Sequence, residues 1–156
     1  MERFIALAFL LSLTTMSPLF TQDRSDLSVI AIEYVGESDK PISPIIISNS
    51  QAGIDWYRKS VMSKIDRELV LTHVVHDSLL AELITDAQRY RGSRPRPAST
   101  SASVSVTLVT PEGRTVLRLD VQPALSLVEL FKERCGNVKS LYSDLEHFRS
   151  RILPRK

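Results

Sequence analysis

A regular alternation of side chains over residues 102–121 constrains the fold of this chain more than any other feature of its sequence. Within 102–109 every even position is apolar, which is typical of a strand with one face buried and the other in water. The alternation resumes over 115–121, and Pro111 and Gly113 lie between the two runs. Proline fixes φ and glycine accepts positive φ, so the intervening residues predict a tight turn. The sequence therefore predicts a β-hairpin.

Two segments near the start of the chain also have the composition of strands. Residues 27–35 are rich in β-branched and aromatic side chains, and they predict a mostly buried strand that ends at Gly36. Residues 42–48 are similar, but Pro41 and Pro44 cannot donate hydrogen bonds to a neighbouring strand. Proline is found mainly on edge strands, so we expect 42–48 to lie at a sheet edge or in a loop.

The segment 68–75 is short and β-branched, and it predicts a further strand. Asp77 can cap a helix that follows, to about Arg91, along an apolar stripe. The alternative is one continuous helix through both segments, because positions 65, 69, 72 and 76 share a helical face.

Apolar residues at helical spacing predict three more helices, over 52–65, 126–135 and 137–152. Ser126 and Glu129 fit a capping box at the start of the second of these. The predicted order of elements is then β-β-α-β-α-β-β-α-α. We expect an α+β fold, with a small antiparallel or mixed sheet of four to five strands and three to four helices packed on one side of it.

Residues 1–22 have the layout of a secretory signal peptide, with a short charged start and an uncharged apolar run over 4–16. This run is shorter than the about 20 apolar residues of a membrane span. An uncleaved anchor over 4–20 is the alternative, because Pro18 disfavours cleavage after the preceding serine. We expect 23–156 to be a single domain that is secreted or periplasmic, or anchored with the domain outside the cytosol.

Composition narrows the range of partners. Residues 92–101 are rich in proline, serine and arginine, which predicts a flexible linker inside the domain. The net charge is +2 and the isoelectric point about 8.8, without the concentrated positive field of nucleic-acid binding proteins. Cys135 is the only cysteine, so no intramolecular disulfide can form. We expect no nucleic-acid partner, and membrane contact only through an uncleaved N-terminal segment.

His73, His76 and Asp77 are the only cluster of histidine and aspartate side chains in the sequence. On a helix the two histidines would lie one turn apart and could share a metal ion, whereas on a strand that leads into a helix cap they point to opposite sides. The predicted strand favours the second arrangement, with His73 packed on the sheet and Asp77 as the helix cap. A third ligand with recognisable spacing is also missing, so we expect no metal. Phosphate-binding loops and nucleophile elbows are absent from the sequence, and we expect no cofactor.

Two classes of function are compatible with these features. The first is a non-enzymatic exported module that binds a protein, a peptide or an envelope component. It would bind through an exposed sheet edge near Ile42, Ile45, Ile46 and Ile47, or through the groove between sheet and helices. The alternative is a small hydrolase or metal-dependent enzyme centred on the cluster of two histidines and one aspartate. We favour the binding module, although small domains can support chemistry on ordinary folds.

Overall fold

The computed structural model describes residues 26–63, 66–90 and 102–154. In chain order its elements are β1 (Val29–Val35), β2 (Ile45–Ser48), α1 (Gln51–Ser60), α2 (Asp66–Leu69), β3 (Leu71–Val74), α3 (Asp77–Tyr90), β4 (Ser103–Thr110), β5 (Gly113–Asp120), α4 (Val121–Arg134) and α5 (Lys139–Ile152). This is an α+β fold, and the order agrees with the predicted one apart from the additional single turn α2. Strand β3 and helix α3 are separate elements, so the alternative of one continuous helix through both segments is wrong.

The predicted signal peptide or anchor over 1–22 and the predicted linker over 92–101 lie outside the described residues. Both therefore stay predictions. In the part of the chain that the structure describes, no helix has the length and apolar character needed to cross a membrane.

The five strands form one mixed sheet in the order β3-β2-β1-β4-β5. Strands β2 and β3 run parallel, and the other neighbouring pairs run antiparallel. The hairpin of β4 and β5 agrees with the prediction: Thr110 pairs with Gly113 across a two-residue turn, and Gly113 has a φ of +143°. A positive φ of this kind favours glycine, which explains the residue at this position.

Strand β2 lies inside the sheet, between β3 and β1. The predicted exposed edge therefore does not exist near Ile42, Ile45, Ile46 and Ile47, and residues 45–47 are fully buried. Pro44 comes just before the strand, where its carbonyl oxygen accepts a hydrogen bond from β3, so its missing amide donor costs no pairing. The prediction of a protein or peptide partner is a separate matter and stays a prediction.

Helices cover both faces of the sheet, and the prediction of helices on one side is wrong. Helices α3, α4 and α5 pack on one face in a larger core that includes Ile30, Phe131 and Phe148. Helix α1 packs on the opposite face in a smaller core, which includes Tyr57 of the helix and Ile46 of β2. The sheet is thus the middle layer of three.

Strand β1 contributes to both cores. Val29 and Ala31 face the smaller core, Ile30 and Ile32 face the larger one, and all four are fully buried. An unbroken apolar run of this kind is typical of a strand with both faces covered. Strand β2 has the same pattern, as expected of an interior strand.

Helix α4 begins at Val121, directly after β5, and not at residue 126 as predicted. Pro123 lies in its first turn, where a missing amide proton breaks no helical hydrogen bond. Ser126 is therefore inside the helix, and its hydroxyl donates to the carbonyl oxygen of Gln122 at 3.4 Å. The predicted capping box at Ser126 is wrong for this reason.

Candidate functional site

His73 lies on β3, and its ring faces helix α5. The Nε2 atom of His73 is 2.7 Å from Oδ2 of Asp144 on that helix. The imidazole is mostly buried, whereas the carboxylate is about one third exposed. The pair connects an outer strand of the sheet to the helix packed behind it.

His76 and Asp77 lie at the start of helix α3. The Nδ1 atom of His76 accepts a hydrogen bond from the backbone amide of Ser78 at 3.3 Å, which satisfies a free donor of the first helical turn. Asp77 is the first helical residue, and its Oδ1 accepts from Nδ2 of Asn49 at 2.9 Å. The cap is therefore His76, and the assignment of this role to Asp77 is wrong by one position.

Each of the predicted catalytic residues engages a different partner: His73 bonds to Asp144, His76 to Ser78 and Asp77 to Asn49. Across residues 26–63, 66–90 and 102–154, no group of three histidine, cysteine, aspartate or glutamate side chains could hold a metal ion. Cys135 is fully buried, and burial raises the pKa of its thiol to about 11, so little nucleophilic thiolate forms at neutral pH. The enzyme hypothesis stays a prediction without support from this geometry.

The outer edge of β5 is the longest open strand edge in the described part of the sheet. Strands β3 and β5 are the two outermost strands, and β5 has eight residues against four in β3. Among the described residues, β5 pairs only with β4. An outermost strand presents a row of unpaired N–H and C=O groups, to which another extended segment can bind.

The register of the hairpin determines which backbone groups of β5 face this edge. Thr110 and Gly113 close a two-residue turn and form a hydrogen-bonded pair. Hydrogen-bonded and non-hydrogen-bonded pairs alternate along antiparallel strands, so every odd-numbered residue of β5 bonds to β4. The N–H and C=O groups of Arg114, Val116 and Arg118 consequently point away from β4, toward the open edge.

The side chains of the same three residues are exposed on the sheet face that carries α1. Val116 is 45% exposed and lies between Arg114 and Arg118, two positions away on either side. The intervening Leu117 and Leu119 point to the opposite face, where they are buried in the larger core. One row of β5 thus holds the strand in place, and the other row is presented to solvent.

On this face of the sheet, helix α1 covers β4 but not β5. Tyr57 on α1 is buried over this face, and burial raises the pKa of its hydroxyl. Thr107 is only 3% exposed, whereas its direct cross-strand neighbour Val116 is 45% exposed. Helix α1 therefore leaves Arg114, Val116 and Arg118 uncovered. We call these three residues the β5 strip.

The β5 strip was not predicted from the sequence, because the prolines before β2 predicted the sheet edge at that strand instead. A signal was present: residues 114, 116 and 118 read Arg-Val-Arg on the outer face of the predicted hairpin. Native edge strands often carry positive charges at such positions. Which of the hairpin strands is outermost is a property of the whole sheet, so the hairpin pattern alone did not identify the edge.

Comparisons with known proteins add no functional information. No protein family model matches the chain, and no curated protein or solved structure is significantly similar to it. The geometry of the β5 strip is thus the main guide to function.

Proposed function

We propose that this protein is an exported, non-enzymatic module that binds an extended segment of another protein along the open edge of β5. The observation that carries the proposal is that outward backbone groups and exposed side chains of β5 belong to the same three residues. A segment added as a sixth strand would bond to the backbone of Arg114, Val116 and Arg118 and contact their side chains as well. In strand addition the backbone bonds provide affinity and the side chains provide specificity.

The other features of β5 support this role, because they keep the strand in one conformation before a partner arrives. All eight residues of β5 pair with β4, and Leu117 and Leu119 are buried. Helix α4 follows the strand without a connecting loop. A binding surface that is already ordered loses little conformational entropy on association.

The open edge can be tested with a matched pair of proline variants. Val116→Pro removes an outward amide of β5 and no bond to β4. Val74→Pro likewise removes an outward amide of β3. The amides of Leu71 and Val75 donate to Pro44 and Ser48 beside this strand. Because inward and outward amides alternate along a strand, the amide of Val74 points away from β2. The two valines are similarly exposed, at 45% and 53%.

The experiment selects peptides from a random displayed library on the immobilised wild-type protein and measures their affinity for both variants. We expect the selected peptides to bind the wild-type protein and Val74→Pro, and to lose binding to Val116→Pro. Peptides that bind Val116→Pro as well as the wild type, or a library that yields no binders, would contradict the proposal. Far-UV circular dichroism of each variant verifies that the fold is retained.

Export is a separate part of the proposal and rests on residues 1–22. A fusion of 1–30 to a reporter enzyme that needs disulfide bonds should be active, because such bonds form outside the cytosol. Leu10→Arg together with Leu11→Arg places charges in the apolar run and should abolish the activity. An inactive wild-type fusion would argue against export without affecting the binding edge.

A further inference from the structure

We infer that the partner segment is acidic, with a carboxylate side chain at its first and fifth positions and an apolar side chain at its third. This inference rests on the proposed function, because it assumes that the segment adds to β5. It follows from the order of charges along the β5 strip.

The spacing follows from the period of a β-strand. Successive side chains on one face of a strand are two residues apart, and those of paired strands lie opposite each other. Arg114, Val116 and Arg118 occupy three successive positions on one face. The matching residues of an added strand are then the first, third and fifth of a five-residue segment. The pattern of acid, apolar and acid is symmetric, so it fits parallel and antiparallel addition equally well.

Charge favours an acidic segment over a second copy of this chain as the occupant. Both arginines of the strip are exposed, and no salt bridge within the described ranges involves either of them. Pairing β5 with β5 of a second copy would place four arginines along one seam, and like charges across paired strands are destabilising. Carboxylates opposite the two arginines would instead form cross-strand ion pairs beside the apolar contact to Val116.

The test uses two blocked nine-residue peptides, with Glu-Thr-Val-Thr-Glu or Lys-Thr-Val-Thr-Lys at the centre, and measures their binding to the purified protein by fluorescence anisotropy. We expect the glutamate peptide to bind at least about tenfold more tightly, because two attractive pairs replace two repulsive ones. A third peptide with the central order Glu-Val-Thr-Thr-Glu shifts the valine to the other face. It should bind more weakly than the first.

A charge-reversal variant separates register from overall charge. Arg114→Glu with Arg118→Glu should reverse the order of the two peptides, so that the lysine peptide binds more tightly. Lys59→Glu with Lys139→Glu is the matched control, since it changes the net charge equally at exposed positions on α1 and α5. A control that reverses the preference as fully as the arginine variant would overturn the inference, since only overall charge would then matter.

The remaining outcomes distinguish this inference from the proposed function. If both peptides bind equally and Val116→Pro abolishes both interactions, β5 binds strands without a preference for acids, and only the inference fails. The same conclusion holds if neither peptide binds but library peptides do. Binding that is unaffected by Val116→Pro would refute both. A wild-type dimer in sedimentation experiments that Val116→Pro dissociates would identify a second copy as the occupant and overturn the inference.

Discussion

Helix α1 packs tightly against the sheet at Gly53. A Cβ atom at this position would lie 2.4 Å from Oγ of Ser48, which is far inside normal contact distance. The Ser48 hydroxyl is fully buried, and it donates to the carbonyl oxygen of Ser28 at 2.7 Å. Moving this hydroxyl aside would break that bond, so the glycine is required by packing even though it is a poor helix former.

Gly53→Ala should therefore lower the free energy of unfolding by about 1–3 kcal/mol. Overpacking strain costs about 1–3 kcal/mol, and the lost hydrogen bond of Ser48 costs about 1 kcal/mol, which offsets the gain of about 1 kcal/mol in helix propensity. Urea denaturation measures the change. In a Ser48→Ala background the oxygen is absent, and Gly53→Ala should cost clearly less than in the wild type. Equal costs in the two backgrounds would show that the contact is not the cause.

Lys132 is a buried cation between α4 and α5. Its ammonium group pairs with Glu146 and lies 3.3 Å from Glu129, and it is 5.2 Å from the ring centre of Tyr142. The hydrogen bond between Lys132 and Glu146 raises the pKa of the lysine and lowers the pKa of the glutamate. The pair therefore stabilises the folded protein while both groups are charged.

The contribution of this pair should depend on pH. A lowered carboxyl pKa stabilises the fold above the ordinary value of about 4.3 and loses this effect as the pH falls through the folded pKa. A raised lysine pKa stabilises below about 10.4 and loses this effect as the pH rises through the folded pKa. Lys132→Met should thus lower the urea midpoint more at pH 7 than at pH 3. For exposed Lys139, the methionine variant should show little dependence on pH.

At the scale of elements, the alternation of inward and outward backbone groups along β5 predicts very different losses of stability for proline at two adjacent positions. Val116→Pro removes an outward amide and should leave the fold intact, with a modest loss of stability. Leu117→Pro removes a bond to β4 and a buried side chain, and should cost about 3 kcal/mol or more. Thermal unfolding followed by circular dichroism compares them. Equal losses would show that the hairpin register differs from the one described.

Local elements of the fold could be predicted from the sequence, because their signals are local. The alternation over 102–109 and the turn at Gly113 identified the hairpin, and the periodicities identified the four longer helices approximately. The start of α4 was missed, because Ser126 and Glu129 satisfy a capping pattern by composition while Pro123 is equally acceptable in a first turn.

The arrangement of the elements was less accessible, because it depends on contacts between distant segments. Pro44 suggested an edge, but β2 is an interior strand because β3 pairs with it in parallel after the crossover through α1 and α2. The apolar residues 45–47, buried on both faces, were the better indicator of this position. The β5 strip could not be identified as an edge until the strand order was known.

For the molecule as a whole, the reactivity of the Cys135 thiol reports how often the larger core becomes exposed to solvent. Its side chain is fully buried in the larger core, and burial raises the pKa of the thiol to about 11. We expect almost no reaction with a disulfide reagent at pH 8 in the native protein, and complete reaction in urea. The labelling rate should follow global unfolding as urea increases. Fast labelling of the native protein would mean that α4 separates locally from the core.

The fully buried run over residues 29–32 links the stability of the two helical layers. Since alternate side chains of this one strand serve opposite faces, neither layer can be dismantled while the other keeps its full set of contacts. The three layers should thus unfold as a single cooperative unit, in spite of their separate apolar clusters. A partner that bound only to the folded edge of β5 would accordingly stabilise helix α1 together with the sheet.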